Sequence, residues 1–329
     1  MQSIGIIGAG AFGTAMATVA QRVGRDVTVW AFEDHVAQDI NQDHCNRTYL
    51  KDATLNPAIR ATTDLAEACA NDAVFLAVPS QHLRRVVSDA APHWHPGVPA
   101  MTCSKGVERS TCKLMAEVVK ECLGEDATVA TLGGPTFAIE IARDLPAAAT
   151  VACPDFPVAE RLAQALTSKH FRAYVTTDIV GAQLGGAVKN VLAIACGIVQ
   201  GKGLGDNARA ALITRGLAEM TRLGLVLGAE PHTLMGMAGL GDVTLTCNAM
   251  QSRNFSLGYE LGQGRTIDAI LKSRKTVAEG YFNAESVTEL ARRNQVDMPI
   301  CQAVEAVLSV DADLNAIIHG LLARPLVNE

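Results

Sequence analysis

Six residues near the start of the chain, Gly8-Ala9-Gly10-Ala11-Phe12-Gly13, leave an apolar run and open onto a stretch of small residues. No other feature of the sequence constrains the fold as tightly. In a G-x-G-x-x-G turn the first glycine makes the bend and the second lets backbone approach a pyrophosphate. The third lets the following helix lie close on the strand. A glycine turn on its own carries little information. With a strand before it and a helix after it, Gly8, Gly10 and Gly13 become candidate contacts of a dinucleotide.

The rest of the first half fits that reading. Residues 3–7, 27–30, 73–78, 100–103 and 129–132 read as strands buried on both faces, because they lack polar alternation. Residues 14–23, 64–69, 80–90 and 111–122 read as helices between them. Residues 147–152 and 172–175 extend the sheet, and 158–166 is a further helix. This order predicts an α/β fold: a Rossmann-type, doubly wound, mostly parallel sheet. After Thr177 the pattern changes to long segments rich in Ala, Leu, Gly and Met with helical spacing, and Asp178 is placed to cap the first of them. The expected organisation is a dinucleotide-binding domain over 1–177 and an all-helical substrate and catalytic domain over 178–329.

Composition removes several function classes. A net charge of −6 with no basic stripe argues against a nucleic-acid partner. Nine cysteines without a C-x-x-C pair argue for reduced thiols acting as small core residues, hence a cytoplasmic protein. The apolar stretch 179–201 carries five glycines, two glutamines, Asn190 and Lys189, which disfavours a membrane span. The eight histidines show no H-x-x-x-H or H-E-x-x-H spacing, so no metal is expected.

Lys189 is the one formal charge between Asp178 and Lys202. An ammonium facing an apolar interior is poised for proton transfer, although a lysine on a helix face can also snorkel to water. Gly239-Leu240-Gly241-Asp242 delivers a carboxylate from a glycine turn, and Ser252-Arg253-Asn254 offers hydrogen bonds and a planar fork suited to phosphate oxygens. A polar loop between helices would look similar. Lys105 sits just past the carboxyl end of a strand, where open parallel sheets bind ligands. Gly133-Gly134-Pro135-Thr136-Phe137-Ala138 presents backbone amides and a hydroxyl at another helix start.

Together these segments resemble the bacterial-type NAD(P)-dependent glycerol-3-phosphate dehydrogenases. The resemblance spans nearly the whole chain, adding Val78-Pro79-Ser80, Gly185-Gly186-Ala187-Val188-Lys189-Asn190, Gly205-Asp206-Asn207-Ala208, 211–216 and Leu245-Thr246-Cys247. It implies reversible hydride transfer between NAD(P)H and C2 of dihydroxyacetone phosphate, giving sn-glycerol 3-phosphate for glycerophospholipid synthesis. Lys189 would be the catalytic lysine. The small phosphorylated substrate would meet Lys105, Gly134, Thr136, Lys189, Asp242, Ser252, Arg253 and Asn254. The cofactor would meet Ala11, Phe12, Phe32, Tyr49, Lys105, Ala138, Arg253, Val277 and Glu279. The apolar helical domain suggests a homodimer.

Two rivals remain at this stage. A β-hydroxyacid-type dehydrogenase would place an asparagine three residues after the lysine, where this chain has Leu192. A non-catalytic dinucleotide sensor would need the glycine turn but not Lys189, Asp242 and Arg253 together. The chain departs from its relatives at the cofactor, with Ala11 and Phe12 for serine and tryptophan and Phe32-Glu33-Asp34 where many carry a basic residue. Glu33, 20 residues past Gly13, favours NAD over NADP, since an acid there accepts ribose hydroxyls and repels a 2′-phosphate, but Arg47 could swing in and reverse that balance, and Glu33 and Asp34 could merely begin the next helix.

Overall fold

The computed structural model describes residues 1–274, 278–309 and 313–323, which form two compact units. Unit 1 is Met1–Lys105 with Lys113–Gln183, and unit 2 is Gly106–Cys112 with Leu184–Glu329.

Unit 1 holds ten strands: β1 (Ser3–Ile7), β2 (Asp26–Trp30), β3 (Cys45–Asn46), β4 (Leu50–Thr54), β5 (Ile59–Thr62), β6 (Val74–Leu76), β7 (Ala100–Thr102), β8 (Val129–Gly133), β9 (Ala147–Ala152) and β10 (Phe171–Thr176). Eight of them make one sheet in the order β10-β9-β8-β7-β6-β1-β2-β5, parallel throughout except that β8 and β9 run antiparallel. The helices on it are α1 (Ala11–Arg22), α2 (Asp34–Asp43), α3 (Leu65–Cys69), α4 (Leu83–Ala90), α5 (Met115–Leu123), α6 (Ala138–Ala142) and α7 (Phe156–Gln164). Every residue of β6 and β8 is buried, as the continuous apolar strands require. Chain order reverses at β1: β2 and β5 lie on one side, and β6, β7 and β8 on the other. The carboxyl ends of β1 and β6 therefore flank the switch point at which such sheets bind ligands.

Three features differ from the sequence expectation. Beyond the alternative of a helix start at Glu33 and Asp34, which is where α2 begins, the segments of α2, β4 and β5 had no assignment; they are short and carry charge, as in Ile59-Arg60-Ala61-Thr62. The helix expected over 111–122 begins only at Met115. Cys112 adopts a left-handed backbone, φ 61°, which helical geometry does not tolerate, and residues 106–112 belong to unit 2.

From residue 184 on, the regular elements of unit 2 among the described residues are helices: α8 (Ile179–Gly201, whose first turn lies in unit 1), α9 (Asp206–Val226), α10 (Pro231–Leu234), α11 (Asp242–Thr246), α12 (Arg253–Gly262), α13 (Ile267–Ser273), α14 (Glu279–Arg293), α15 (Pro299–Leu308) and α16 (Leu314–Leu322). Asp178 starts α8 as expected, its Oδ1 accepting from the Gly181 amide at 2.7 Å. By length and apolarity α8 could cross a membrane, but 89% of its most apolar window is buried in the protein. Its glycines explain how. A Cβ at Gly197 would stand 2.1 Å from the Phe255 carbonyl oxygen, and one at Gly201 would stand 2.3 Å from that of Tyr259. The backbones of α8 and α12 thus touch directly.

Glu219 of α9 is 2% exposed and accepts from the Ile300 and Cys301 amides at 2.8 and 3.2 Å, at the start of α15. Burial outweighs those hydrogen bonds and raises its carboxyl from 4.5 to about 7. In the unfolded chain Glu219 ionises near its ordinary value. The stability that the folded site draws from the protonated form is therefore complete below about pH 4.5 and is lost as pH rises through about 7. Thermal unfolding between pH 4.5 and 8 should show this loss, about 3 kcal/mol, and Glu219→Gln should flatten the profile. An unchanged profile in the variant would assign the loss to other groups.

Candidate functional site

The glycine turn is built as its spacing requires. Gly8 leaves β1 with φ 117°, and a Cβ there would lie 2.6 Å from the Ala77 carbonyl oxygen. A Cβ at Gly13 would lie 1.9 Å from the Gly8 carbonyl oxygen, so α1 is packed hard against the turn that precedes it. Gly10 differs, because its Cβ would meet nothing within 4 Å. Nothing in the folded chain requires glycine at that position. The open space lies at the start of α1, where no side chain caps the helix and its first amides point outward. This cradle fits a dinucleotide pyrophosphate, with Ala11 and Phe12 as the first residues of α1. The turn is rigid: the Gly8 amide donates to Trp30 O at 3.0 Å, and Asn46 Nδ2 donates to Ala9 O and Thr14 Oγ1, both at 2.8 Å.

Past β2, Phe32 is 70% exposed and stands edge-on to Trp30 at 6.2 Å. The Tyr49 hydroxyl donates to Glu33 Oε1 at 2.7 Å. That bond, then burial, raises the Tyr49 phenol to about 12, so it remains a donor at any physiological pH. Arg47, two residues before Tyr49, is engaged elsewhere, by Asp39 at 2.6 Å and Asp43 at 2.8 Å.

Lys105, Gly134 and Thr136 come together although 31 residues separate the first from the last. Lys105 Nζ donates to Gly134 O at 3.0 Å and Thr136 Oγ1 donates to the same oxygen at 3.1 Å. Gly134 has φ 124° and packs over Ala149 of β9, where a Cβ would stand 3.1 Å from the Ala149 Cα. Ala138 begins α6 just beyond.

In unit 2, Lys189 is 8% exposed and is not the isolated charge that its sequence neighbours imply. Its ammonium donates to Asp242 Oδ1 at 2.5 Å and to Thr246 Oγ1 at 3.1 Å. Asp242 is fully buried, and the Thr246 hydroxyl is 3.4 Å from the same carboxylate oxygen. Two local features make the pairing. Gly185 lies one turn before Lys189 on the same face of α8, and a Cβ there would stand 2.2 Å from Ala238 O. That oxygen belongs to the single π-helical turn Met237–Gly241, which delivers Asp242. Asp242 and Thr246 are then four residues apart on one face of α11. Thr246 had no role from the sequence; its four-residue offset from Asp242 was the available signal.

A second cluster surrounds the start of α12. Ser252 caps the helix, its Oγ accepting from Phe255 N at 3.2 Å, and Arg253 is the first helical residue and exposed. Asn254 is 7% exposed and spans three helices. Its Nδ2 donates to Asn190 Oδ1 and its Oδ1 accepts from Gly280 N, both at 2.8 Å. Glu279 is the first residue of α14, next to Gly280. Val277 lies outside the described residues.

Comparisons with known proteins match both parts of the chain. The family model described as NAD-dependent glycerol-3-phosphate dehydrogenase N-terminus matches residues 3–159, and the model for its C-terminus matches 178–319. The chain is 52% identical to glycerol-3-phosphate dehydrogenase [NAD(P)+] of Maricaulis maris, covering 100% of this chain and 98% of that one. Identity to the Rhodospirillum rubrum protein of the same name is 53%, over 98% and 93%. The crystal structure of glycerol-3-phosphate dehydrogenase from Coxiella burnetii superposes with a TM-score of 0.93 at 36% identity, covering 98% of this chain and 99% of that one.

The contrast between Gly10 and Gly13 is directly measurable. Gly10→Val should keep the parent melting temperature while weakening reduced-dinucleotide binding, followed by nicotinamide fluorescence, by about tenfold or more. Gly13→Ala should lower the melting temperature, since its Cβ must displace backbone. Tight binding by Gly10→Val would remove the pyrophosphate from this cradle.

Proposed function

The chain belongs to the NAD-dependent glycerol-3-phosphate dehydrogenase family, and from that premise we propose that it interconverts dihydroxyacetone phosphate and sn-glycerol 3-phosphate. The observation that carries this reading is the buried Lys189–Asp242–Thr246 cluster, an ammonium aimed by a carboxylate and a hydroxyl. When bound, the nicotinamide cofactor supplies or accepts the hydride at C2. Lys189 gives a proton to the oxygen forming at C2 and takes it back in the reverse direction. Asp242 fixes the direction of the ammonium and balances its charge in a site from which water is excluded. Thr246 prevents the lysine from swinging about that single contact.

The remaining residues bind and orient. Lys105, Gly134 and Thr136 hold the hydroxyl end of the substrate. The start of α12 takes the phosphate, with Arg253 as the charged fork and Ser252 and Asn254 fixing the helix turn that presents it. Gly8, Gly10, Ala11, Phe12 and Gly13 seat the pyrophosphate. Phe32, Tyr49, Ala138, Val277 and Glu279 complete the cofactor contacts, together with Lys105 and Arg253. In this reading residues 1–177 carry most of the dinucleotide contacts, and 178–329 carry the phosphate contacts and the catalytic lysine. A cytoplasmic location fits the nine free cysteines. A homodimer fits the aliphatic helix α16, which has no buried residue.

Oxidation of NADH or NADPH, followed with dihydroxyacetone phosphate, with a β-keto acid and with neither, tests the activity. Turnover only with the first is the expected outcome. Lys189→Ala should then lose about 10²–10⁴ in kcat while still binding cofactor, and near-normal turnover would remove Lys189 from the chemistry.

Coenzyme preference follows from the charges past β2. Glu33 and Asp34 would each repel a 2′-phosphate by about 1 kcal/mol at 4 Å in water, and Arg47 is committed to Asp39 and Asp43. NADH should be used at least as efficiently as NADPH, and Glu33→Ala should improve kcat/KM for NADPH relative to NADH. A parent preference for NADPH of about tenfold, roughly 1.4 kcal/mol, would reverse this assignment.

A further inference from the structure

Residues Gly106–Cys112 leave unit 1 directly after Lys105, pack as part of unit 2 and return at Lys113. This arm is a built element. Thr111 Oγ1 donates to Glu108 Oε2 at 2.5 Å, and the Cys112 amide closes the turn onto Glu108 O at 2.8 Å. Val107, Glu108 and Cys112 are buried, at 0%, 7% and 6% exposure. The left-handed backbone at Cys112 turns the chain back toward α5.

Within unit 2 the arm is docked on α14 at two levels. The Arg109 guanidinium lies over the Phe282 ring, 5.8 Å from its centroid, and pairs with Glu285. Arg293, further along the same helix, donates to Thr111 O at 3.1 Å while its own Nε holds Glu289 at 3.0 Å. An exposed ion pair alone would fix little. The ring contact, the carbonyl bond and the buried turn act together on seven residues.

Lys105 is therefore anchored from both sides. Its Nζ is held by Gly134 in unit 1, and the chain leaving it is held by Arg109 on α14. Only Gly106, Val107 and Glu108 intervene, and a chain covers at most about 3.3–3.6 Å per residue, so the course of the arm limits where the Lys105 backbone can lie. We propose that Arg109 is a positioning residue, which acts through Lys105 by fixing the course of the chain that leaves it. The proposal rests on the role given above to Lys105 as a substrate contact. Displacing a substrate-positioning group by about 1 Å can cost up to about 10²-fold in rate, so a modest loosening of the arm is detectable.

A double-mutant cycle tests this by kcat/KM for dihydroxyacetone phosphate, with melting temperatures as a control. Arg109→Gln should lower kcat/KM about tenfold, and Arg109→Lys, which keeps the charge and the ring contact, should stay within about twofold of the parent. In a Lys105→Ala background Arg109→Gln should cause no further loss, because the group it positions is gone. Equal losses in both backgrounds, or an Arg109→Gln enzyme within about twofold of the parent, would overturn the proposal and leave the role of Lys105 intact. Parent-like activity in Lys105→Ala alone would overturn both.

Discussion

A lysine and an aspartate taken out of water together have to stay together. Lys189 and Asp242 sit on different helices, 53 residues apart, at 8% and 0% exposure. Removing one would leave the other as an uncompensated buried charge, at a cost of about 3–5 kcal/mol. The pair can form only if α8 and the turn before α11 approach at backbone distance, and that approach requires glycine at 185. The contact that aims the ammonium thus depends on a residue with no side chain, and the chemical and structural demands on α8 are the same demand.

The glycines of α8 and α12 extend this logic. Gly197, Gly201, Gly258 and Gly262 all face backbone of the other helix, with would-be Cβ contacts between 2.0 and 2.7 Å. Helix interiors disfavour glycine by roughly 1 kcal/mol relative to alanine, so Gly197 and Gly258 are explained by packing rather than propensity, while Gly201 and Gly262 make the same contacts at the last residue of each helix. Close packing also brings Asn190 and Asn254 within reach of each other. Through the Gly280 amide it ties the start of α14 to the same point.

Much of the fold was readable from the amino-acid order because buried parallel strands are continuous apolar runs and the glycine turn has a fixed place among them. The elements without an assignment share a cause. In α2 the buried face is only Val36, Ala37 and Ile40 among polar neighbours, and β5 carries Arg60 in four residues. The end of the arm, Thr111 and Cys112, was merged into the next helix because a left-handed cysteine gives no local signal. In the site, the residue types were visible but their partnerships were not. Lys189 read as isolated because periodicity along one helix says nothing about a carboxylate 53 residues away. Asn254 read as a ligand contact, whereas its amide also holds three helices together. Pairings within a few residues of each other, such as the Asp178 cap, were the ones that sequence could supply.

The arm has a consequence for how the chain is made. Arg109 and Glu285 are 176 positions apart, so at synthesis rates of about 5–20 residues per second the arm emerges roughly 10–35 s before its helix exists. When the arm emerges the chain has been made only as far as β7, and the arm belongs to a body not yet translated. Unit 2 is consequently discontinuous in the gene, and a fragment beginning at residue 184 would lack the arm whose Arg109 lies over Phe282. Any split or permuted version of this protein has to keep that early segment available to the later one.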